Sequence, residues 1–171
     1  MVRSSIVLLA LASSSSVAVA EPTLRNGFSL SIGHEFGSGP SESFSGQLYG
    51  LDWRIGAKIS DALAVYAHSH LSLGTAKIGA ASGYTGNFAG AVVGEYTLPQ
   101  RIFLGAGAGF GVLNNPSGPL AQLRVGYYPF ESSSTEKARR LNVAFDARWY
   151  FPGDDIGTVT HLAISVGYDR F

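Results

Sequence analysis

The sequence predicts an all-β fold, an eight-stranded antiparallel up-and-down barrel that crosses a membrane. Apolar and polar residues alternate along most of the chain, and clusters of turn-forming residues interrupt the alternation at regular intervals. The two alternating rows differ sharply in charge. Glycine is abundant at 22 residues and aromatic residues make up 12% against 14% charged, a composition unlike that of a helical or a disordered chain.

The first twenty residues differ from everything that follows. A positive start at Arg3, the apolar run IVLLALA from 6 to 12 and the small-x-small pattern at 18–20 are typical of a secretory signal peptide cut before Glu21. The sequence thus predicts a signal peptide over 1–20 and a barrel domain over 21–171. No apolar run reaches the roughly 20 residues that a transmembrane helix needs, so a membrane would be crossed by strands.

The segment 47–60, QLYGLDWRIGAKIS, shows the alternation most clearly. Its apolar row includes Leu51, Trp53 and Ile55, and its polar row includes Asp52 and Arg54. A period of two places successive side chains on opposite faces of a strand. This segment is therefore predicted to be a strand with one apolar and one charged face.

Seven further segments show the same period. The eight predicted strands cover 27–37, 47–60, 63–74, 84–98, 102–113, 120–130, 141–151 and 159–171. The segments 37–46, 75–83, 114–118 and 152–158 are predicted as loops at one end, and 131–140 as a polar connection at the other. Strands of roughly ten residues, tilted, match the thickness of a bilayer.

The size of the side chains decides which row faces inwards. An eight-stranded barrel has an interior only wide enough to be filled by side chains, so the bulky apolar row is predicted to face lipid. Glycines at 105, 107, 109 and 111 on the other row would leave room for long charged side chains. The predicted lumen charge network comprises Glu35, Asp52, Arg54, Lys58, Glu95, Arg124, Asp146, Arg148 and Asp169. The predicted lipid-facing residues include Trp53, Phe88, Phe110, Phe145, Trp149 and Tyr168.

Aromatic residues divide between the two ends of the predicted strands, as the girdles of a membrane barrel do. One group comprises Phe36, Tyr49, Tyr84, Trp149 and Phe151, and the other comprises Phe28, Tyr96, Phe130, Tyr168 and Phe171.

Together, the signal peptide, the eight alternating strands, the charged interior and the terminal Phe171 resemble the small outer-membrane barrels of the OmpA transmembrane domain and OmpX type. The resemblance spans the whole mature chain. It implies the outer membrane of a Gram-negative-type bacterium, both termini in the periplasm, outer-membrane lipid as surroundings, and recognition by the barrel-assembly machinery through Phe171. It identifies no extracellular ligand.

Three functions remain open at this point. The first is a structural or surface-interaction role without catalysis, the second a narrow pore for ions or small solutes, and the third a lipid acyl hydrolase. The zero formal net charge does not suggest a nucleic-acid partner, and the absence of cysteine excludes thiolate metal sites. No cofactor and no metal are expected.

The hydrolase hypothesis depends on His68, His70 and Ser72, which share one face of a predicted strand. A histidine beside a hydroxyl is the arrangement that nucleophilic catalysis needs, and two histidines on one face could also bind zinc. The predicted register points these side chains into the lumen, away from lipid. A structural role for these three residues is therefore favoured over a catalytic one.

Overall fold

A computed structural model describes residues 23–38, 43–113, 117–134, 137–153 and 157–170. These ranges form eight strands: β1 (Thr23–Ser38), β2 (Ser43–Lys58), β3 (Leu63–Ile78), β4 (Ala81–Thr97), β5 (Ile102–Leu113), β6 (Ser117–Ser134), β7 (Lys137–Tyr150) and β8 (Val159–Arg170). The predicted signal peptide and Phe171 lie outside the described residues. Within those ranges, no helix is long and apolar enough to cross a membrane.

Each strand pairs antiparallel with its neighbours in the chain, and β8 pairs with β1 to close the ring. Closure leaves no strand edge with unpaired backbone groups, which a bilayer requires because lipid offers no hydrogen-bond partners. The predicted eight-stranded up-and-down barrel is confirmed.

The registers fix the stagger of the barrel. The residues directly opposed on successive strands can be followed around the ring from Thr23 through Lys58, Ala64, Glu95, Gly105, Arg124, Asp146 and Ala163 to Gly33. The circuit returns to β1 ten residues further along, since it starts at position 23 and ends at position 33. With strands ~4.8 Å apart and ~3.3 Å per residue, this stagger gives a tilt of about 40° and a backbone radius of about 8 Å.

Several strands extend beyond their predicted ends. β1 begins at Thr23 rather than at 27, β3 and β4 leave only a two-residue turn where the loop 75–83 was predicted, and strand structure continues into 131–134 and 137–140. The first hairpin likewise takes in 37–38 and 43–45. These segments are rich in serine, glycine and charge, which have low strand propensity, but cross-strand pairing satisfies their backbone groups.

The outer surface of the ring is apolar. Trp53, Phe88 and Phe110 expose 56%, 54% and 54% of their surface, and Phe145 and Tyr168 are also exposed. Trp149 is half-buried on the same outward row. Such a continuous apolar exterior suits hydrocarbon rather than water.

Inward glycines make room for large side chains from neighbouring strands. A methyl group added at Gly111 would lie 2.5 Å from the ring of Tyr150, and one at Gly126 would overlap the ring of Phe103. The glycine row of β5 thus lies partly under a bulky side chain, and the lumen is filled without widening the barrel.

We expect Leu51→Arg to destabilise the barrel in lipid by about 2 to 4 kcal/mol, because Leu51 is exposed on the outward face near the middle of β2. Tyr84→Arg, near the end of β4, is the matched control and should cost only about 1 kcal/mol or less. Denaturant unfolding in phosphatidylcholine vesicles measures both. Equal costs for the two substitutions would contradict a membrane centred on the strands.

Candidate functional site

The lumen is the candidate functional site, because the inward row brings most of the ionisable side chains together. Among the described residues, four arginines and five carboxylates are buried there, each with at most 3% of its surface exposed: Arg25, Arg54, Arg124, Arg148, Glu35, Asp52, Glu95, Asp146 and Asp169. A buried ion is stable only when it is paired and hydrogen-bonded. The pairing therefore determines what the lumen can do.

A first group, the Arg25 cluster, lies near the end of the barrel where β1 begins and β8 ends. Arg25 donates to Glu95 at 2.6 Å, to the hydroxyl of Tyr128 at 2.9 Å and to Asp169 at 3.3 Å. Tyr66 also donates to Glu95, at 2.8 Å. The cluster is completed by Arg54 and comprises Arg25, Arg54, Tyr66, Glu95, Tyr128 and Asp169.

Arg54 brings β2, the strand with the clearest alternation in the sequence, into the Arg25 cluster. Its Nε donates to Asp169 at 3.1 Å, and another guanidinium nitrogen donates to Ser29 at 2.5 Å. Asp169 therefore receives bonds from both Arg54 and Arg25. One carboxylate of the last strand thus binds arginines from the first two strands.

Arg25 was not among the predicted lumen residues, because the first strand was predicted to begin at 27. A signal was present, because Arg25 shares the odd parity of Glu35 on the same strand. Extending the alternation by two residues would have placed the arginine in the polar row. The turn-like residues around it masked the pattern.

A second group, the Asp52 cluster, fills the middle of the barrel. A single oxygen of Asp52 accepts hydrogen bonds from His68 Nε2 at 3.0 Å, His70 Nδ1 at 2.8 Å and Arg148 at 2.8 Å. Gln122 donates to His68 Nδ1 at 2.8 Å. Because Nδ1 of His68 accepts that bond, a neutral His68 carries its proton on Nε2, facing Asp52. The Asp52 cluster comprises Asp52, His68, His70, Gln122 and Arg148.

Asp146 links the two clusters. It accepts bonds from Ser165 at 3.0 Å and Gln122 at 3.3 Å, and Arg124 lies 3.8 Å away. Asn142 joins Arg124 to the Arg25 cluster, since it accepts a hydrogen bond from Arg124 at 3.1 Å and donates one to Asp169 at 2.8 Å. The polar contacts therefore run without a break from one cluster to the other.

Two members of the predicted network have partners outside the two clusters. Lys58, at the end of β2, pairs with Asp61 in the following turn at 2.9 Å. The hydrogen bond from Lys58 lowers the pKa of Asp61. Glu35 is buried but accepts a hydrogen bond from Asn87 rather than from a cation. The other predicted members lie in the lumen and have charged partners.

The candidate catalytic residues His68, His70 and Ser72 are buried in the lumen, with at most 2% of their surface exposed. Asp52 orients Nδ1 of His70, while Nε2 of His70 and the hydroxyl of Ser72 make no hydrogen bond within the described ranges. The orientation of His70 resembles that of a catalytic histidine, but lipid cannot reach it. Among the described residues, no three histidine or acidic side chains are placed to hold a metal.

We expect Asp169→Asn to destabilise the barrel by about 3 to 5 kcal/mol, because it leaves Arg25 and Arg54 buried without their shared carboxylate. Glu131→Gln is the control: Glu131 pairs with Arg140 at 2.7 Å at a partly exposed position and should cost less than about 1 kcal/mol. Urea unfolding in detergent compares them. If Asp169→Asn cost no more than the control, the buried pairs would not stabilise the fold.

Solved structures with this architecture include two bacterial proteins. Ail, the attachment invasion locus protein of Yersinia pestis, superposes with a TM-score of 0.62 at 8% identity, covering 85% of this chain and 97% of Ail. Ail is also known in complex with the heparin analogue sucrose octasulfate, and that structure gives a TM-score of 0.57 at 10% identity over 85% of this chain and 98% of Ail. Neisserial surface protein A gives 0.52 at 11% identity, covering 84% of this chain and 95% of that protein.

No family model and no curated protein sequence matches the chain. At such low identities the structural likeness concerns the fold. The similarity covers nearly the whole length of each neighbour. The chain therefore has the fold of the small eight-stranded outer-membrane β-barrels.

Proposed function

We propose that the protein is an integral outer-membrane barrel whose lumen is closed by its own side chains and which acts through its surface, without catalysis. The single observation that carries this proposal is the Arg25 cluster. Its six members come from β1, β2, β3, β4, β6 and β8. Phe103 of β5 packs 4.8 Å from Tyr128, and Asn142 of β7 bonds to Asp169. All eight strands therefore contribute to one cross-section.

The packing of this cross-section supports a closed barrel. Members of the Arg25 cluster expose at most 1% of their surface, and Phe103 and Asn142 expose none. Displacing Arg25, Arg54, Glu95 or Asp169 would separate an arginine from its carboxylate at a large free-energy cost. A solute entering from either end would meet this layer.

A surface role is supported by analogy with the neighbours of the same fold. The Ail structures describe an attachment invasion locus protein and its complex with a heparin analogue. In the present chain the four predicted outer loops carry Lys77 against Glu42, Asp154 and Asp155, a net charge of −2 from one cation and three carboxylates. A sulfated polyanion would be repelled by this balance, so we propose a neutral or basic partner.

Orientation and export are part of the same proposal. The signal peptide would be removed before Glu21, both ends of the barrel domain would lie in the periplasm, and Phe171 would be recognised by the barrel-assembly machinery. The hairpins β1–β2, β3–β4, β5–β6 and β7–β8 would then face the cell exterior.

A narrow pore is the second candidate, and one observation favours it. Several buried polar atoms in and next to the Asp52 cluster make no hydrogen bond to any residue that the structure describes, including Oδ2 of Asp52, Nε2 of His70 and the hydroxyls of Ser31 and Ser72. Buried polar groups without partners favour the entry of water. Water in this region would still have to pass the Arg25 cluster to cross the barrel.

Planar-bilayer recording separates the two candidates. We expect the wild-type protein to show no discrete conductance, and the double variant Arg25→Ala/Tyr128→Ala to conduct, because it removes an ion-pair donor and the ring beside it. Tyr127→Ala is the matched control, since Tyr127 is the exposed, outward neighbour of Tyr128 and its truncation should leave the barrel silent. Circular dichroism checks that each variant folds.

The pore would be favoured if the wild-type protein conducted steadily and the substitution Arg54→Ala changed that conductance. A double variant that folds and remains silent would show that another layer closes the lumen and would contradict the role given to the Arg25 cluster.

The absence of catalysis is tested with the same preparations. We expect no release of fatty acid from lipopolysaccharide or phospholipid by the wild-type protein, because His70 is sealed inside the lumen. Fatty-acid release that is lost in His70→Ala but kept in His34→Ala, an exposed histidine on β1, would make the protein a lipid hydrolase.

A further inference from the structure

Two arginines face each other on the outer surface at the end of the barrel where β8 ends. Arg139 of β7 and Arg170 of β8 are directly opposed and form the last residue pair between these two strands. Both have the parity of the outward row and both are exposed. Their side chains therefore lie next to each other on the face that meets lipid.

Opposed like charges on neighbouring strands destabilise a sheet unless an anion lies between them. The nearby carboxylates in the described part of the chain are already engaged: Glu131 is bound by Arg140 through two nitrogens, at 3.0 and 2.7 Å, and Asp169 is inside the lumen with Arg54. Among the described residues, no carboxylate forms an ion pair with Arg139 or Arg170. The described carboxylates therefore leave the positive charge of the arginine pair without a counter-ion, and an anionic ligand could neutralise it.

The surroundings of the arginine pair are amphipathic. Two residues further from the strand ends, Leu141 and Tyr168 are opposed on the same outward face. On the flanking strands, Ser132 opposes Arg139 and Asn26 opposes Arg170, and both are exposed. Apolar surface therefore adjoins a short row of hydrogen-bonding side chains with two cations at its centre.

We propose that Arg139 and Arg170 bind the phosphate of an anionic glycerophospholipid, such as phosphatidylglycerol, in the periplasmic leaflet. Two planar guanidinium groups bind phosphate oxygens through paired hydrogen bonds, and the acyl chains would lie along Leu141 and Tyr168. The assignment to the periplasmic leaflet rests on the orientation given under the proposed function. The recognition chemistry rests only on the outward arginine pair.

Native mass spectrometry of the detergent-solubilised barrel tests this, with phosphatidylglycerol and phosphatidylcholine of identical acyl chains as probes. We expect the wild-type protein to prefer phosphatidylglycerol by roughly tenfold, and the variant Arg139→Gln/Arg170→Gln to lose the preference. The matched control is Arg101→Gln, an exposed arginine in the turn between β4 and β5 at the same end, which should keep it.

Equal preference in the wild-type protein and the double variant would overturn the proposal, as would an equal loss in Arg101→Gln. Displacement of the lipid by millimolar inorganic phosphate would also overturn it, because the site would then recognise a free anion. The proposed membrane location fails by a separate readout, namely if the wild-type protein does not fold into phosphatidylcholine vesicles, where the arginine pair has no anionic ligand.

Discussion

The rest of this structure depends on one constraint: an eight-stranded sheet closed with a ten-residue stagger encloses a narrow interior that the charged row must fill. Charges in such a space need partners at hydrogen-bond distance, because neither lipid nor bulk water reaches them. Asp169 and Asp52 meet this need by each accepting from more than one side chain. Glycines such as Gly27 and Gly50 leave the space in which those side chains meet.

Because of the same constraint, the outer and inner faces of the barrel contribute differently to stability. Outside, residues such as Trp53 and Phe88 meet the surroundings, so their exposure favours insertion in lipid and contributes little to which strands pair. Inside, the described residues form two buried apolar clusters, a larger one that includes Ala89, Ala91 and Val93 and a smaller one of Phe103, Tyr128 and Ala144. Backbone ladders and buried polar pairs therefore carry much of the specificity, an arrangement opposite to that of a water-soluble barrel.

The sequence was sufficient for the fold class and for which row faces inwards, because alternation and side-chain size are local properties. It was not sufficient for the partners. The link from Arg25 to Asp169 joins positions 144 residues apart, and only the closed register brings them together. The pairing of Lys58 with Asp61 in the following turn was not predicted from the alternation either. The pairing of Arg139 with Arg170 likewise emerges only from the β7–β8 register.

The bonds that Asp169 receives have a consequence for how the chain reaches its native state. Arg25 and Arg54 lie on the first hairpin, whereas Asp169 lies on the last strand, at separations of 144 and 115 residues. A sheet that has not yet closed leaves both cations without this anion in a medium that does not solvate them. Because these contacts are so distant in sequence, the buried charges are paired only when the ring closes. Partly assembled sheets are therefore disfavoured, and folding becomes cooperative. Asp169 therefore couples the last strand of the ring to the first hairpin.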